Sequence, residues 1–208
     1  AELFESRKPS NPAVMSEING NVRFGDTKRG VRKIHVMGSD GEERTYSIPY
    51  GKHVIVHEGD FVNAGTNLCE GAISPNDILH VLGPAAVRDY LVNEIQEVYR
   101  LQGVKINDKH IEVIVGQMML KVSVKDTGDT WFLEEDKISK KEFFSENERI
   151  SKMVIVDKVG DSDLESETMI DRSEFLEINK ELKLSGMVVA TYRKTKPAHF
   201  EPILMGIT

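Results

Sequence analysis

Basic side chains are concentrated near the start of this 208-residue chain, which has a net charge of −7. Residues 7–33 hold seven basic groups against two acidic ones. Four of them are nearly adjacent: Lys28, Arg29, Arg32 and Lys33. Such a cluster can bind nucleic-acid phosphates without reading base sequence. Lys and Arg are also common on solvated strand edges, where they discourage pairing with other strands. This second explanation of a basic cluster is the commoner one. Both interpretations of the cluster stay open.

Other reactive side chains predict neither catalysis nor a metal site. His53 and His57 are expected on one strand, roughly 13 Å apart at ~3.3 Å per residue, too far to share a metal. Cys69 is the only cysteine, so a Cys-rich zinc site is excluded, and we expect a packed thiol. The acidic residues lack the ordered spacing of a calcium loop. We predict no catalytic residue, no metal ligand and no cofactor in this chain.

The composition indicates a water-soluble protein with one strongly acidic region. Hydrophobic residues make up 39% and charged residues 29%, and no apolar run reaches the ~18 residues of a membrane span. Residues 126–185 carry seventeen acidic and nine basic side chains, so this block holds a net charge of −8. We expect a cytoplasmic location and no membrane partner. The opening Ala1 and the helix-like residues after it indicate a piece of a longer chain.

Residues 13–72 have the pattern of short β-strands. Val22 and Phe24 alternate with polar residues, and the alternation continues at Ile34, Val36 and beyond. Turn residues at 38–41 predict a hairpin between two of these strands. Many short strands separated by glycine are typical of a small sandwich or barrel.

Residues 73–120 change to a helical period. Ser74 and Pro75 predict a helix start, and Gly83 followed by Pro84 predicts a stop and a second start. Val87, Leu91, Ile95 and Val98 then form one apolar stripe. Asn107 or Asp108 is expected to cap a third helix, with Ile111, Val115 and Met118 on its inner face.

Residues 121–182 contain an internal repeat with a period of 32. Gly128-Asp129, Ile138, Phe143 and Asn147 recur as Gly160-Asp161, Ile170, Phe175 and Asn179. Each copy predicts a strand, a turn and a helix that begins with a capping box. We interpret the repeat as a duplication whose second copy is an insertion.

The segment Tyr90–Val115, which contains Tyr99-Arg100-Leu101-Gln102-Gly103-Val104-Lys105-Ile106-Asn107-Asp108-Lys109-His110, closely resembles the bacterial RNA polymerase beta-prime subunit. The opening Glu2–Pro9 is similar to that subunit just after its trigger loop. The closing Ile203–Thr208 is similar to the segment just before its first switch region. In that family Arg usually occupies the position of Gly116.

This resemblance implies a part of DNA-directed RNA polymerase, a nucleotidyltransferase of transcription. The catalytic magnesium loop and the zinc cysteines of that enzyme are absent here, so the fragment alone is expected to be inactive. The implied partners are the rest of beta-prime, the beta, alpha, omega and sigma subunits, and downstream duplex DNA. The implied location is cytoplasmic and nucleoid-associated.

The predicted fold class is α+β, with a β barrel-sandwich hybrid, a helical segment and a duplicated strand–helix extension. The hybrid is indicated by Val56–Leu68 and Gly20-Asn21-Val22, which resemble halves of biotinyl and lipoyl carrier domains. The predicted regions are the end of a trigger-loop helix (1–12), the jaw (13–72), a helical segment (73–120), the acidic repeat (121–185) and a strand leading to the switch region (186–208).

Two functions remain open at this stage. In the first, the fragment borders the downstream DNA channel and supports the trigger loop, with Lys28, Arg29, Arg32 and Lys33 as the DNA contacts. In the second, the acidic repeat docks a transcription regulator or a polymerase subunit. A biotin or lipoate carrier is less favoured because no Met-Lys-Met frame occurs, and a helix-turn-helix over 84–120 ranks lower still.

Overall fold

The computed structural model describes residues 2–207 and shows a mixed α and β fold. These residues divide into two compact units. The first runs to Met119 and resumes at Pro202, and the second is Leu120–Glu201. Among the described residues, no helix has the length and apolar character needed to cross a membrane. The helices and antiparallel sheets of both units confirm the predicted mixture of α and β structure.

Fifteen helices and strands are present among residues 2–207. They are β1 (Gly20–Lys28), β2 (Val31–Met37), β3 (Glu43–Ile48), β4 (Phe61–Val62), α1 (Pro75–Leu82), α2 (Pro84–Leu101), α3 (Asp108–Met118), β5 (Lys121–Asp126), β6 (Lys137–Ser139), α4 (Lys140–Ser151), β7 (Met153–Lys158), β8 (Met169–Asp171), α5 (Arg172–Leu184), β9 (Thr191–Lys194) and β10 (His199–Pro202).

The first unit contains a curled antiparallel sheet with the strand order β3-β2-β1-β4. The predicted strands and the hairpin at 38–41 are confirmed. Val54 forms only an isolated bridge, to Cys69, rather than the expected strand. Alternation places Val22, Ile34 and Val36 in a buried cluster that also holds Cys69, so the thiol is packed as predicted.

Three helices build the other core of this unit. α1 and α2 are separated at Gly83, and the Asn107 side chain caps α3 by accepting a hydrogen bond from the Lys109 N–H, as predicted. The expected side-chain cap of Ser74 does not form. Instead, the Ser74 carbonyl accepts the N–H groups of residues 77 and 78.

The buried stripe of α2 is shorter than predicted. Val87, Leu91 and Ile95 are buried, but Val98 is 49% exposed near the helix end. The inner face of α3 is confirmed, with Ile111, Val115 and Met118 buried in the same cluster.

The opening residues do not form the predicted helix. Residues 2–6 form turns, and residue 1 lies outside the described part of the chain. Ser6 has a left-handed backbone with φ of 53°, which is incompatible with a continuing α-helix. Leu3 and Phe4 still pack against the helical core.

The two copies of the repeat in the second unit have the same strand register. Lys121 lies opposite Ser139 in one copy, and Met153 lies opposite Asp171 in the other, each shifted by the period of 32. Both helices have side-chain N-caps, although Asp171 accepts from the N–H of Ser173 rather than from Glu174.

Each copy obtains its third strand from the segment after α5, where the sequence predicted one strand and the structure has two. β9 pairs with β7 of the second copy, and β10 pairs with β5 of the first. The second copy is therefore nested inside the first. Its two ends meet, because the Thr195 hydroxyl donates to the Ile150 carbonyl at 2.7 Å.

The same pair of hydrogen bonds fixes the returning segment in both copies. The Asn147 side-chain amide donates to the carbonyl and accepts from the N–H of Ala198, at 3.0 and 2.8 Å. Asn179, its equivalent at the period of 32, makes both bonds to Ala190, each at 2.8 Å. These asparagines satisfy backbone groups that would otherwise lie unpaired near the core.

A polar contact joins the first copy to the third strand of the second. The Asp129 carboxylate accepts two hydrogen bonds from the Arg193 guanidinium, at 3.0 and 3.3 Å, and one from the Lys196 N–H at 2.7 Å. The hydrogen bonds from Arg193 hold the pKa of Asp129 below its ordinary value.

We predict that Gly116→Ala stabilises the protein. Gly116 lies inside α3, and a Cβ added there would have no atom within 4 Å. Alanine should raise the free energy of unfolding by ~1 kcal/mol, because glycine loses more backbone entropy on entering a helix. Urea denaturation followed by circular dichroism measures the change. Gly103→Ala is the matched control: its surroundings are equally open, but its φ of +72° should make alanine cost about 1–2 kcal/mol. A destabilising Gly116→Ala would contradict the prediction.

We also predict an acid-sensitive contribution from Asp129. Its folded pKa is depressed, so its carboxylate stabilises the fold fully above the unfolded pKa of about 3.9, and the contribution is lost as the pH falls through the folded pKa. Asp129→Asn should lower the melting temperature by a constant amount between pH 5 and 7, and by less near pH 3. Calorimetry at each pH measures the difference.

Asp163→Asn is the control for this titration, because Asp163 is exposed and has no ion-pair partner among residues 2–207. Its effect on melting should be small at every pH. An equal loss for Asp129→Asn at pH 3 and pH 6 would show that the ionised carboxylate does not supply the stabilisation.

Candidate nucleic-acid interface

The four predicted contact residues lie at one end of the β1–β2 hairpin. Lys28 is opposite Val31, so Arg29 and Gly30 form a two-residue turn between them. Their φ angles are 52° and 79°, the left-handed pair of a type I′ turn, which matches the twist of the flanking strands. The turn projects Arg29 at the tip. All four cationic side chains are exposed.

The hairpin divides these side chains between two faces. Arg32 lies opposite Thr27 and Ile48, on the face that buries Ile34 and Val36 further along the strand. Lys28 and Lys33 lie on the other face, because side chains alternate along each strand and opposed residues share a face. The structure thus brings the four residues to one end of the sheet without placing them on one surface.

None of the four side chains has an acidic partner among the described residues. Arg32 instead places its guanidinium carbon 5.6 Å from the centroid of the Phe24 ring, a cation–π distance. Arg44 on β3 differs: its hydrogen bond to Glu42 raises its pKa above the ordinary value, and Glu17 lies 3.7 Å away. The cationic side chains at the hairpin end therefore remain available to a ligand, whereas the positive charge of Arg44 is balanced by neighbouring carboxylates.

Sequence reasoning missed three residues beside this cluster. Tyr50, Lys52 and His53 line a cavity of about 420 Å³ together with Arg32. The Tyr50 ring is 88% exposed and lies 3.3 Å from where a Cβ on Gly30 would be. The Lys52 ammonium donates a hydrogen bond to the Pro12 carbonyl. Arg32 lies opposite Ile48 across β2 and β3, and Tyr50, Lys52 and His53 follow Ile48 closely in the chain. A correct prediction of this register would have placed the three residues beside Arg32.

The described residues offer no arrangement for metal chemistry. Across residues 2–207, no three His, Cys, Asp or Glu side chains gather closely enough to hold an ion. The residues present therefore do not fit the magnesium or zinc that the family resemblance implies for a whole enzyme. His57 is near Asp60, with 3.5 Å between the ring nitrogen and a carboxylate oxygen.

The family model and the full-length relatives that match this chain all come from RNA polymerase. The family model for RNA polymerase Rpb1, domain 5, matches residues 21–181. The chain is 47% identical over all 208 residues to the DNA-directed RNA polymerase subunit beta' of Salinibacter ruber. It is 50% identical to the same subunit of Flavobacterium psychrophilum and 48% identical to that of Phocaeicola vulgatus. The chain spans only 14% to 15% of the length of these curated relatives.

Proposed function

The chain belongs to the RNA polymerase Rpb1 domain 5 family, and we propose that it acts in DNA-templated RNA synthesis as a non-catalytic part of a beta-prime subunit. The unpaired cationic end of the β1–β2 hairpin is the observation that carries this proposal. In the assembled enzyme this end would border the downstream duplex and bind its phosphates. The chemistry of nucleotide transfer would come from residues outside the chain.

Several finer assignments belong to the same proposal. The curled sheet would be the jaw, with a barrel-sandwich topology, and the opening residues would adjoin the base of the trigger loop. The partners would be the remaining beta-prime chain, the beta, alpha, omega and sigma subunits, and DNA. The enzyme would be cytoplasmic and nucleoid-associated. The cavity beside Arg32 is also lined by Lys52, whose cationic group is compatible with a nucleic-acid backbone.

Duplex DNA binding by this chain tests the proposal. We expect weak binding whose affinity falls as salt rises, because phosphate contacts release counterions. Replacing Lys28, Arg29, Arg32 and Lys33 together with Ala should weaken binding. It should also reduce the slope of log K against log salt by about 0.9 for each DNA phosphate that the variant no longer neutralises. Fluorescence anisotropy at several salt concentrations measures both quantities.

A second quadruple variant controls for total charge. Lys121, Lys137, Lys141 and Lys158 are also exposed, lie in the other unit and change the net charge equally when replaced with Ala. This variant should keep the slope of the unmodified chain. An unchanged slope in the hairpin variant, or an equal reduction in both variants, would refute a DNA contact at the hairpin.

A further inference from the structure

A groove on the second copy of the repeat has no counterpart in the proposed function. It has a volume of about 530 Å³ and lies between the turn after β7 and the C-terminal half of α5. Its apolar lining is Leu164, Ile178, Leu182 and Met187, and its acidic lining is Asp161, Asp163 and Glu181. We call it the α5 groove.

At the equivalent place in the first copy, side chains of the chain itself are joined by hydrogen bonds. Asp163 corresponds to Trp131, Ile178 to Glu146 and Glu181 to Arg149 at the period of 32. Arg149 donates two hydrogen bonds of 2.8 Å to the Glu146 carboxylate, and these bonds with those from Trp131 hold the pKa of Glu146 below its usual range. The Trp131 indole and the Arg149 guanidinium, although each is more than half exposed, therefore bond to α4 at Glu146 in the first copy.

The second copy lacks both groups, and apolar side chains of its groove are accessible to solvent. Ile150 of the first copy is 1% exposed, whereas its equivalent Leu182 is only half-buried. Met187, which follows α5 and lines the groove, is 53% exposed. Like the end of a repeat array, the second copy presents a face that its neighbour would cover.

The charge of the groove specifies what kind of group can cover it. The second copy, 153–184, carries nine acidic and four basic side chains, against eight and seven in the first copy, 121–152. The carboxylates of Asp163 and Glu181 have no ion-pair partner in the described chain. An occupant must supply cationic groups beside an apolar anchor in order to pair these carboxylates and cover Leu182 and Met187.

We propose that the α5 groove docks a cationic segment of a protein partner, which inserts an aromatic side chain between Leu182 and Met187 and sets Lys or Arg against Asp163 and Glu181. The segment supplies in trans what Trp131 and Arg149 supply within the first copy. This inference is independent of the DNA proposal, since its residues lie in the other unit.

Methyl-detected NMR of the full 208-residue chain tests the proposal with a synthetic peptide that carries one tryptophan between two arginines. We expect the methyl signals of Ile178, Leu182 and Met187 to shift on titration, while that of Ile150 stays in place. Replacing the peptide tryptophan with alanine, or its arginines with glutamates, should each weaken binding by about tenfold or more.

Variants of the chain separate the groove from general electrostatic attraction. Glu181→Arg should weaken peptide binding about tenfold, and Asp163→Trp should fill the groove and remove binding. Glu177→Arg is the matched control, because it makes the same charge change on α5 outside the groove lining and should bind normally. The Ile150 methyl signal verifies that each variant is folded.

Three results would overturn the proposal. The groove methyl signals could fail to shift with the peptide. Glu177→Arg could weaken binding as much as Glu181→Arg, which would reduce the effect to net charge. A duplex DNA of 20 base pairs could shift the same methyl signals, which would replace the protein partner with nucleic acid.

Discussion

Neither strand–helix copy can complete its own sheet, and this constraint determines the architecture of the second unit. Each copy contributes two strands, and the third comes from the one segment that follows α5. Asn147 and Asn179 attach that segment by pairing both backbone groups of Ala198 and Ala190. The segment pairs first with the second copy and then with the first copy, and this order makes the topology nested. A chain that skipped either contact would leave a sheet edge and a buried helix face uncovered.

The first unit depends on alternation along two long strands. Val22, Ile34 and Val36 supply the buried face of the curled sheet, while the far end of the same strands extends past the core. There, the positions that would otherwise be buried hold Arg32 and Phe24, which cover each other. The concentration of positive charge at this end is thus a consequence of strand length. Side chains at this end of the hairpin are exposed, and polar or amphipathic side chains are stable in such a place.

Local signals in the sequence were sufficient for most elements. The side-chain caps at Asn107, Ser139 and Asp171 and the Gly83-Pro84 boundary depend on residues within a few positions of one another, and the structure confirms them. The period of 32 is read directly from matching residues, and the two copies have the same strand register. The failures concern long-range facts. The placement of Lys28 on the face of Lys33 depends on the register of the hairpin, and the third strand of each copy depends on pairing across many residues. Ser6 at φ of 53° is a local failure, since an apolar helical pattern does not reveal a left-handed residue.

The meeting of Ile150 with Thr195 has a consequence for how this protein can change over evolution. Because the chain leaves the first copy and re-enters it at one point, the intervening residues behave as an exchangeable module. A change in their length would keep the two ends of the segment together at Ile150 and Thr195, so β10 could keep its path. We expect that the surface which the module exposes can vary without altering the helices that precede it.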